Sequence, residues 1–379
     1  MLANLLQQWR NARFDKPFFL IVATLVVVGL FVFVSASLSV VPKNPDIFKR
    51  MLLGQLVLGL VGGLIAGYVT FKIPYVFWKK YSLVLLIIGL ILTVLVFVPG
   101  ISLSHGGATR WVSFGPLSFQ PAEILKIVFV MYVASWYGWA HRKLHQLKYG
   151  IIPLAVMFVV AGAVLLAQPD TGTFLVIAGT GVIMYFVSGA RLRDLAIMFL
   201  LAILAGVVLV AARPYLMARV KTFVNPGSDP QGASYQIRQG YIALGSGGVT
   251  GRGYGQSIQK FQYLPEPVGD SVFAVLGEEM GFIGTLGFLL LYAAFALRGL
   301  YIARRAPNMF ARLLVTGLVM LVIVQSFLNI TAILGLFPLT GLPLIFVSHG
   351  GTALAITLAS MGIILNVSQY LKRLSSEEK

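Results

Sequence analysis

No cysteine occurs among the 379 residues, so a disulfide framework, a thiolate metal site and a cysteine nucleophile are all excluded. Acid is scarce too, with 12 Asp and Glu against 29 Lys and Arg. Charged residues make up 11% of the chain and hydrophobic residues 58%, with a mean hydropathy of +0.89. That balance is far too apolar for a water-soluble globule of this length and reads as a polytopic membrane protein. His105, His141, His145 and His349 show no metal-ligand spacing, and no Ser-His-Asp or HExxH pattern is present, which argues against a zinc hydrolase.

What the chain does have is apolar runs long enough for a bilayer core of about 30 Å at 1.5 Å per residue. Ten are expected, at 17–40, 51–70, 81–99, 121–140, 150–168, 172–189, 194–212, 271–297, 310–335 and 345–370. The expected fold class is therefore an all-α polytopic membrane protein of about ten transmembrane helices, forming one domain over 1–379. The first run is long for a signal peptide and lacks a cleavage site, so it reads as a retained anchor with the mature chain starting near Met1. The net charge of +17 comes from cations scattered over short loops. They report orientation and give no reason to expect nucleic acid. With the N-terminus inside, 18 Lys and Arg fall inside and 10 outside. Cytoplasmic tails at 1–16 and 371–379 follow from that bias.

One outside loop, 213–270, is too long for a mere connection. Arg213, Arg219, Lys221, Arg238, Arg252 and Lys260 outnumber Asp229, Glu266 and Asp270 there, on the side where orientation does not favour cations, so an anionic ligand is expected. Tyr235, Ile237, Tyr241, Ile242 and Leu244 fit a short amphipathic helix at the interface. "GSGGVTGRGYG" carries six glycines in eleven residues and lacks the GK[ST] ending of a Walker loop. A hinge and a backbone cradle for phosphate are both open.

A third of the acids lie within "EPVGDSVFAVLGEE", as Glu266, Asp270, Glu278 and Glu279. Asp270 sits where the loop enters the eighth span, placed to ionise at the edge of an apolar cleft. It fits a general base, or a cap for the helix behind it. Glu279 is nine residues on, about 13 Å deeper in a helix, so Glu278 and Glu279 read as packing partners or cavity walls. Glu123 and Lys126, three apart after Pro121, share a helix face and pair, either as a structural bridge or as a polar cavity wall. Asp170 in "QPDTGT" is a helix cap or a cavity acid.

These motifs together resemble the SEDS family of FtsW and RodA: "GATRWVSFGPLSFQPAEILKI", "QPDTGT", "NPGSDPQGASYQIRQGYIALGSGG", "GRGYGQSIQKFQYLPE", "DSVFAVLGEEMGFIG" and "GLPLIFVSHGGTALA", in order over nearly the whole chain. "QSIQKFQYLPEP" leans toward FtsW, while "VGDS" and "SHGGTAL" stand where the family has "HTDF" and "SYGGSSL". The resemblance implies ten transmembrane helices in the bacterial cytoplasmic membrane and a glycosyltransferase polymerising lipid II on its outer face, for division or elongation. It also implies a class B penicillin-binding protein as partner. Asp270 matches the family's essential acid, and Glu123 and Lys126 its polar pair. Transfer of the inverting type would release polyprenyl pyrophosphate, with Arg213, Arg219, Lys221 and Arg238 as candidates to hold it. A divalent cation could share that charge, although no cage of carboxylates is evident. A precursor transporter or flippase and a non-catalytic scaffold are the rival classes.

Overall fold

The computed structural model describes residues 14–42, 44–100, 102–105, 108–114, 117–225 and 232–371. Residues 1–13 and 372–379, which hold most of the two expected tails, and Asp229 lie outside the described residues.

Each expected apolar run corresponds to a helix. α1 is Lys16–Ser37, opened by the side chain of Asp15, which accepts from Phe18 N. α2 is Pro45–Lys72, with a π-helical stretch at Gly54–Val61, and α3 is Tyr75–Val94. α4 (Pro121–Ala140) starts on a proline, whose missing N–H costs nothing in a first turn. α5 (Ile151–Ala167) and α6 (Thr171–Val187) are short. Three helices are not expected to span: α8 (Pro214–Val224), α9 (Ala233–Gly247) and the single turn α10 (Gln259–Gln262). α7 (Leu192–Ala212), α11 (Val272–Arg304), α12 (Met309–Ile333) and α13 (Gly351–Ser368) complete the set.

The core is formed by α4, α6, the first half of α11, α12 and α13, whose inward side chains are almost fully buried. α7 is the opposite. Only Asp194 and Met198 of its residues are buried, as befits a helix that is apolar all round and solvated by lipid. The sequence reading missed one element. Ser102–His105 (β1), Ala108–Phe114 (β2) and Leu117–Phe119 (β3) form an antiparallel meander in that order. Polar and apolar residues alternate there between glycine-bearing turns, a strand signal that the search for spans passes over.

The last span begins later than its hydropathy suggests, because 344–350 is not helical. Its backbone is nonetheless satisfied: Leu344 N donates to Ser348 Oγ (2.8 Å), His349 N to Val268 O (2.8 Å) and Gly350 N to Gln55 Oε1 (3.0 Å). A Cβ on Gly351 would lie 2.5 Å from Gly54 O, so α13 can start against α2 only through glycine. His349 stacks on Phe33 with ring centroids 6.1 Å apart, a packing role.

The glycine-rich loop after α9 has a structural task. α11 breaks at Gly281, whose φ is 65°. In an unbroken helix Phe282 N and Ile283 N would bond to Glu278 O and Glu279 O. Here Arg252 N and Gly253 N take those carbonyls (both 3.0 Å), while Phe282 N and Ile283 N donate to Gly248 O (2.9 Å) and Val249 O (3.1 Å). The loop thus replaces one turn of intrahelical bonding with backbone of its own. Only glycine permits this approach. A Cβ on Gly281 would lie 2.2 Å from Gly251 N, and one on Gly251 would lie 2.1 Å from Glu279 O.

Two predictions follow from this architecture. Gly281→Ala adds the cost of a positive φ, about 1–3 kcal/mol, to a backbone collision, so the variant should lose most of its folded yield in detergent and melt well below the parent. The connections 140–150 and 213–270 are separated by three spans, α5, α6 and α7, an odd number that puts them on opposite membrane faces if each crosses once. Cysteines at exposed Gln262 and exposed Arg142 should therefore differ, one reacting with an impermeant thiol reagent in intact cells and the other only after permeabilisation. Ser234, in the same long connection, is buried and would not report.

Candidate functional site

On the face that carries the long loop, four elements converge on Asp270. α11 is capped at Ser271, which makes no side-chain cap bond. The carboxylate of Asp270 instead accepts from Gln236 Nε2 of α9, 3.0 Å from Oδ1, so it is not spent on helix amides. Asn329 of α12 donates one amide nitrogen to Asp270 O (2.8 Å) and Leu342 O (2.7 Å), joining the loop to the non-helical segment before α13. Asp270 is half-buried. Burial first, and then the nearby Glu266 carboxylate, push its pKa from 3.8 up to about 6, against the opposing pull of Gln236, backbone bonding and Arg219. Glu266 is exposed, at φ 46°, and its carbonyl accepts from Gly269 N and Ser271 N (3.0 and 3.2 Å), fixing the turn that presents Asp270.

Of the four loop cations expected at an anion, the structure brings one into this cleft. Arg219 of α8 is half-buried, its Nη1 is 3.4 Å from Thr340 O, and its charge is felt by both Asp270 and Asp170. Its pKa is lowered by burial and by the facing charge of Arg110. Arg213, Lys221 and Arg238 are exposed. Arg110 was not singled out by sequence, although it stands in the "GATRWVSFG" stretch; the missed β2 strand carries it. Its Nη1 lies 3.9 Å from Asp170 Oδ1, and it also donates to Pro169 O. Asp170 caps α6 through Thr173 N (3.3 Å) and takes the Thr173 hydroxyl (2.9 Å). Arg110 thus pairs with Asp170, while Arg219 feels the charges of Arg110, Asp170 and Asp270 without a salt bridge to any acid among the described residues.

The remaining expected residues lie elsewhere. Lys126 Nζ is 2.9 Å from Glu123 Oε1 and bonds to Gln325, whose Nε2 donates to Pro343 O (3.0 Å). The space beside the pair is about 20 Å³, room for a water and not for a sugar ring. Glu278 accepts from Ile258 N (3.0 Å), Gln259 N (3.3 Å) and the Ser257 hydroxyl, with Arg252 at 3.5 Å. Glu279 is held by Lys260 and by the Ser35 hydroxyl. These two acids fasten the loop to α1 and α11 and are engaged as supports. Among the described residues no three His, Asp or Glu converge as a metal site would require.

A helical membrane protein that presents a carboxylate of raised pKa beside two arginines at the end of a span has the makings of an enzyme with a general base next to a site for negative charge. Comparison with known proteins places it. Residues 15–373 match the FtsW/RodA/SpoVE family, described as cell cycle proteins, and the chain belongs to that family. It is 36% identical over 360 residues to stage V sporulation protein E of Bacillus subtilis, covering 94% of this chain and 97% of that one. It is 37% identical over 372 residues to the probable peptidoglycan glycosyltransferase FtsW of Trichlorobacter lovleyi, covering 98% and 97%. Among solved structures it resembles a chain of a peptidoglycan synthase complex that coordinates polymerization and crosslinking (TM-score 0.77, 27% identity, 94% and 97% covered). It also resembles the rod shape determining protein RodA of Thermus thermophilus (TM-score 0.68, 26% identity, 95% and 98% covered).

Lys126 supplies the test of the buried pair. Lys126→Met leaves the Glu123 carboxylate uncompensated and should cost about 3–5 kcal/mol, read as a lowered melting temperature in detergent. Glu123→Gln combined with Lys126→Met should cost less than the sum of the single changes.

Proposed function

We propose that this chain is a peptidoglycan glycosyltransferase that polymerises lipid II, with the 213–270 face outside the cytoplasmic membrane and both termini in the cytoplasm. The observation that carries the reading is Asp270: a carboxylate bonded to Gln236, with a pKa near 6, beside the Arg219 charge. At neutral pH such a group is ionised yet basic enough to accept a proton as a hydroxyl becomes a nucleophile.

In this reaction the 4-hydroxyl oxygen of the incoming lipid-linked disaccharide attacks the anomeric carbon of the growing strand. A glycosidic C–O bond forms with inversion, and the bond from that carbon to the pyrophosphate oxygen breaks. Asp270 takes the hydroxyl proton, and the electron pair leaves on polyprenyl pyrophosphate. Arg219 and Arg110 would stabilise that departing charge in a partly desolvated cleft. The exposed Arg213, Lys221 and Arg238 suit a looser role, attracting the anionic headgroup to the face. A divalent cation at the pyrophosphate would have to be held largely by the substrate's own oxygens, because among the described residues no three acids or histidines converge on a metal site. A transpeptidase of the class B penicillin-binding type is the partner this reading expects, because a polymerised strand must next be crosslinked.

Asp270→Asn keeps the shape and removes the base. Polymerisation of lipid II by the purified variant should fall by about 10²- to 10⁴-fold. In the parent the initial rate should rise as pH increases through about 6 and then level off, because the base must lose its proton. Stability runs the other way. A pKa raised above its unfolded value means that the stabilising contribution is present at low pH and lost as pH rises through about 6, so Asp270→Asn should melt no lower than the parent at pH 7. Near-parental polymerisation by the folded variant would overturn the assignment. Failure of the purified parent to polymerise lipid II would favour a transporter or scaffold.

A further inference from the structure

Gln236 has no counterpart in the reaction as described, and its placement is specific. Its one amide nitrogen lies 3.0 Å from Asp270 Oδ1 and 2.9 Å from Ser271 Oγ. An ionised carboxylate only accepts, so the nitrogen and not the oxygen of the amide must face it, and the bond to Ser271 uses the second N–H. Among the described residues it is the only side chain bonded to the Asp270 carboxylate. α9 cannot carry it elsewhere: in its first half Ile237 is buried against Gly335, and in its second Tyr241 OH is fixed to Leu334 O at 3.0 Å, just past α12, while a Cβ on Gly247 would lie 2.1 Å from Gly277 O of α11.

We propose that Gln236 is the positioning residue for the base: its amide pins Oδ1 of Asp270 and leaves the second carboxylate oxygen to take the proton from the acceptor hydroxyl. This rests on the reading of Asp270 as general base. An amide donor favours the charged carboxylate, and it opposes the burial and the Glu266 charge that act on the same group. It also fixes rotation about the Cβ–Cγ bond, so that one oxygen and not either faces the substrate. Ser271, which accepts the other N–H and is fully buried, keeps the amide from turning over. The segment "VGDS" thereby supplies both the base and the anchor of the group that aims it.

The experiment is the pH dependence of lipid II polymerisation by purified full-length Gln236→Met, nearly isosteric but without a donor. The acid limb of the profile should move up by about one unit, the size expected when a hydrogen bond to a charged group is lost. Activity should therefore drop severalfold at pH 6.5 and recover in large part at pH 8.5. Gln236→Glu, which keeps the shape and adds a like charge, should move the limb further in the same direction. Asp270→Asn is the separating control. If it abolishes activity while the limb stays in place in Gln236→Met and Gln236→Glu, the base reading stands and the positioning role is overturned. If Asp270→Asn is active, the base reading itself has failed. Loss of fold in both Gln236 variants, seen by melting, would make the residue structural and would equally overturn the proposal.

Discussion

A helix interrupted inside a bilayer exposes amides and carbonyls that lipid cannot bond, and the break in α11 at Gly281 has that problem about 13 Å from the helix start. The loop after α9 solves it by inserting its own backbone, with four main-chain bonds crossing between 248–253 and 278–283. Because the loop is bonded into the helix, its position is no longer free. Glu278 then gathers Ser257, Ile258 and Gln259, and Glu279 gathers Lys260 and Ser35. What looked from outside like a long surface connection is held by buried charge and glycine contacts.

That attachment gives the site its rigidity. Asp270 lies at the end of the fastened segment, with its backbone carbonyl clamped by Asn329 and its carboxylate held by Gln236. The tuned acidity needs both burial and a neighbouring like charge, and each depends on α9 and the Glu266 turn staying in place. Across the cleft, Arg110 and Arg219 come from a strand and from a short helix in separate parts of the chain. Bringing two guanidinium groups together is unfavourable unless carboxylates or a bound anion offset the repulsion, so the resting site is preorganised for negative charge.

Much of this was legible in the chain. Ten apolar runs gave ten helices, since a bilayer sets helix length and lipid penalises unmatched backbone. The Glu123–Lys126 pair followed from a spacing of three residues and the cost of an isolated charge. Asp270 was legible as a candidate because its position at a span boundary is visible in the sequence, but the choice between base and helix cap was not. The cap position falls at Ser271, and the carboxylate bonds instead to Gln236, a partner that only the tertiary fold brings near. Boundaries were least legible where helices end in non-helical backbone, as at 344–350, because hydropathy does not register φ and ψ.

By itself the sequence determined the membrane architecture and the places where charge is tolerated, because both depend on local composition and on the energy of burying ionised groups. Only the tertiary structure decided which of those charges meet. Arg219 enters the cleft while Arg213, Lys221 and Arg238 remain exposed, Arg110 arrives on a strand 109 positions before Arg219, and Gln236 reaches Asp270 across a gap of 34 residues. The physical reason is that such contacts are set by how helices and loops pack in three dimensions, and a neutral amide such as Gln236 carries no mark in the sequence until its partner is in place.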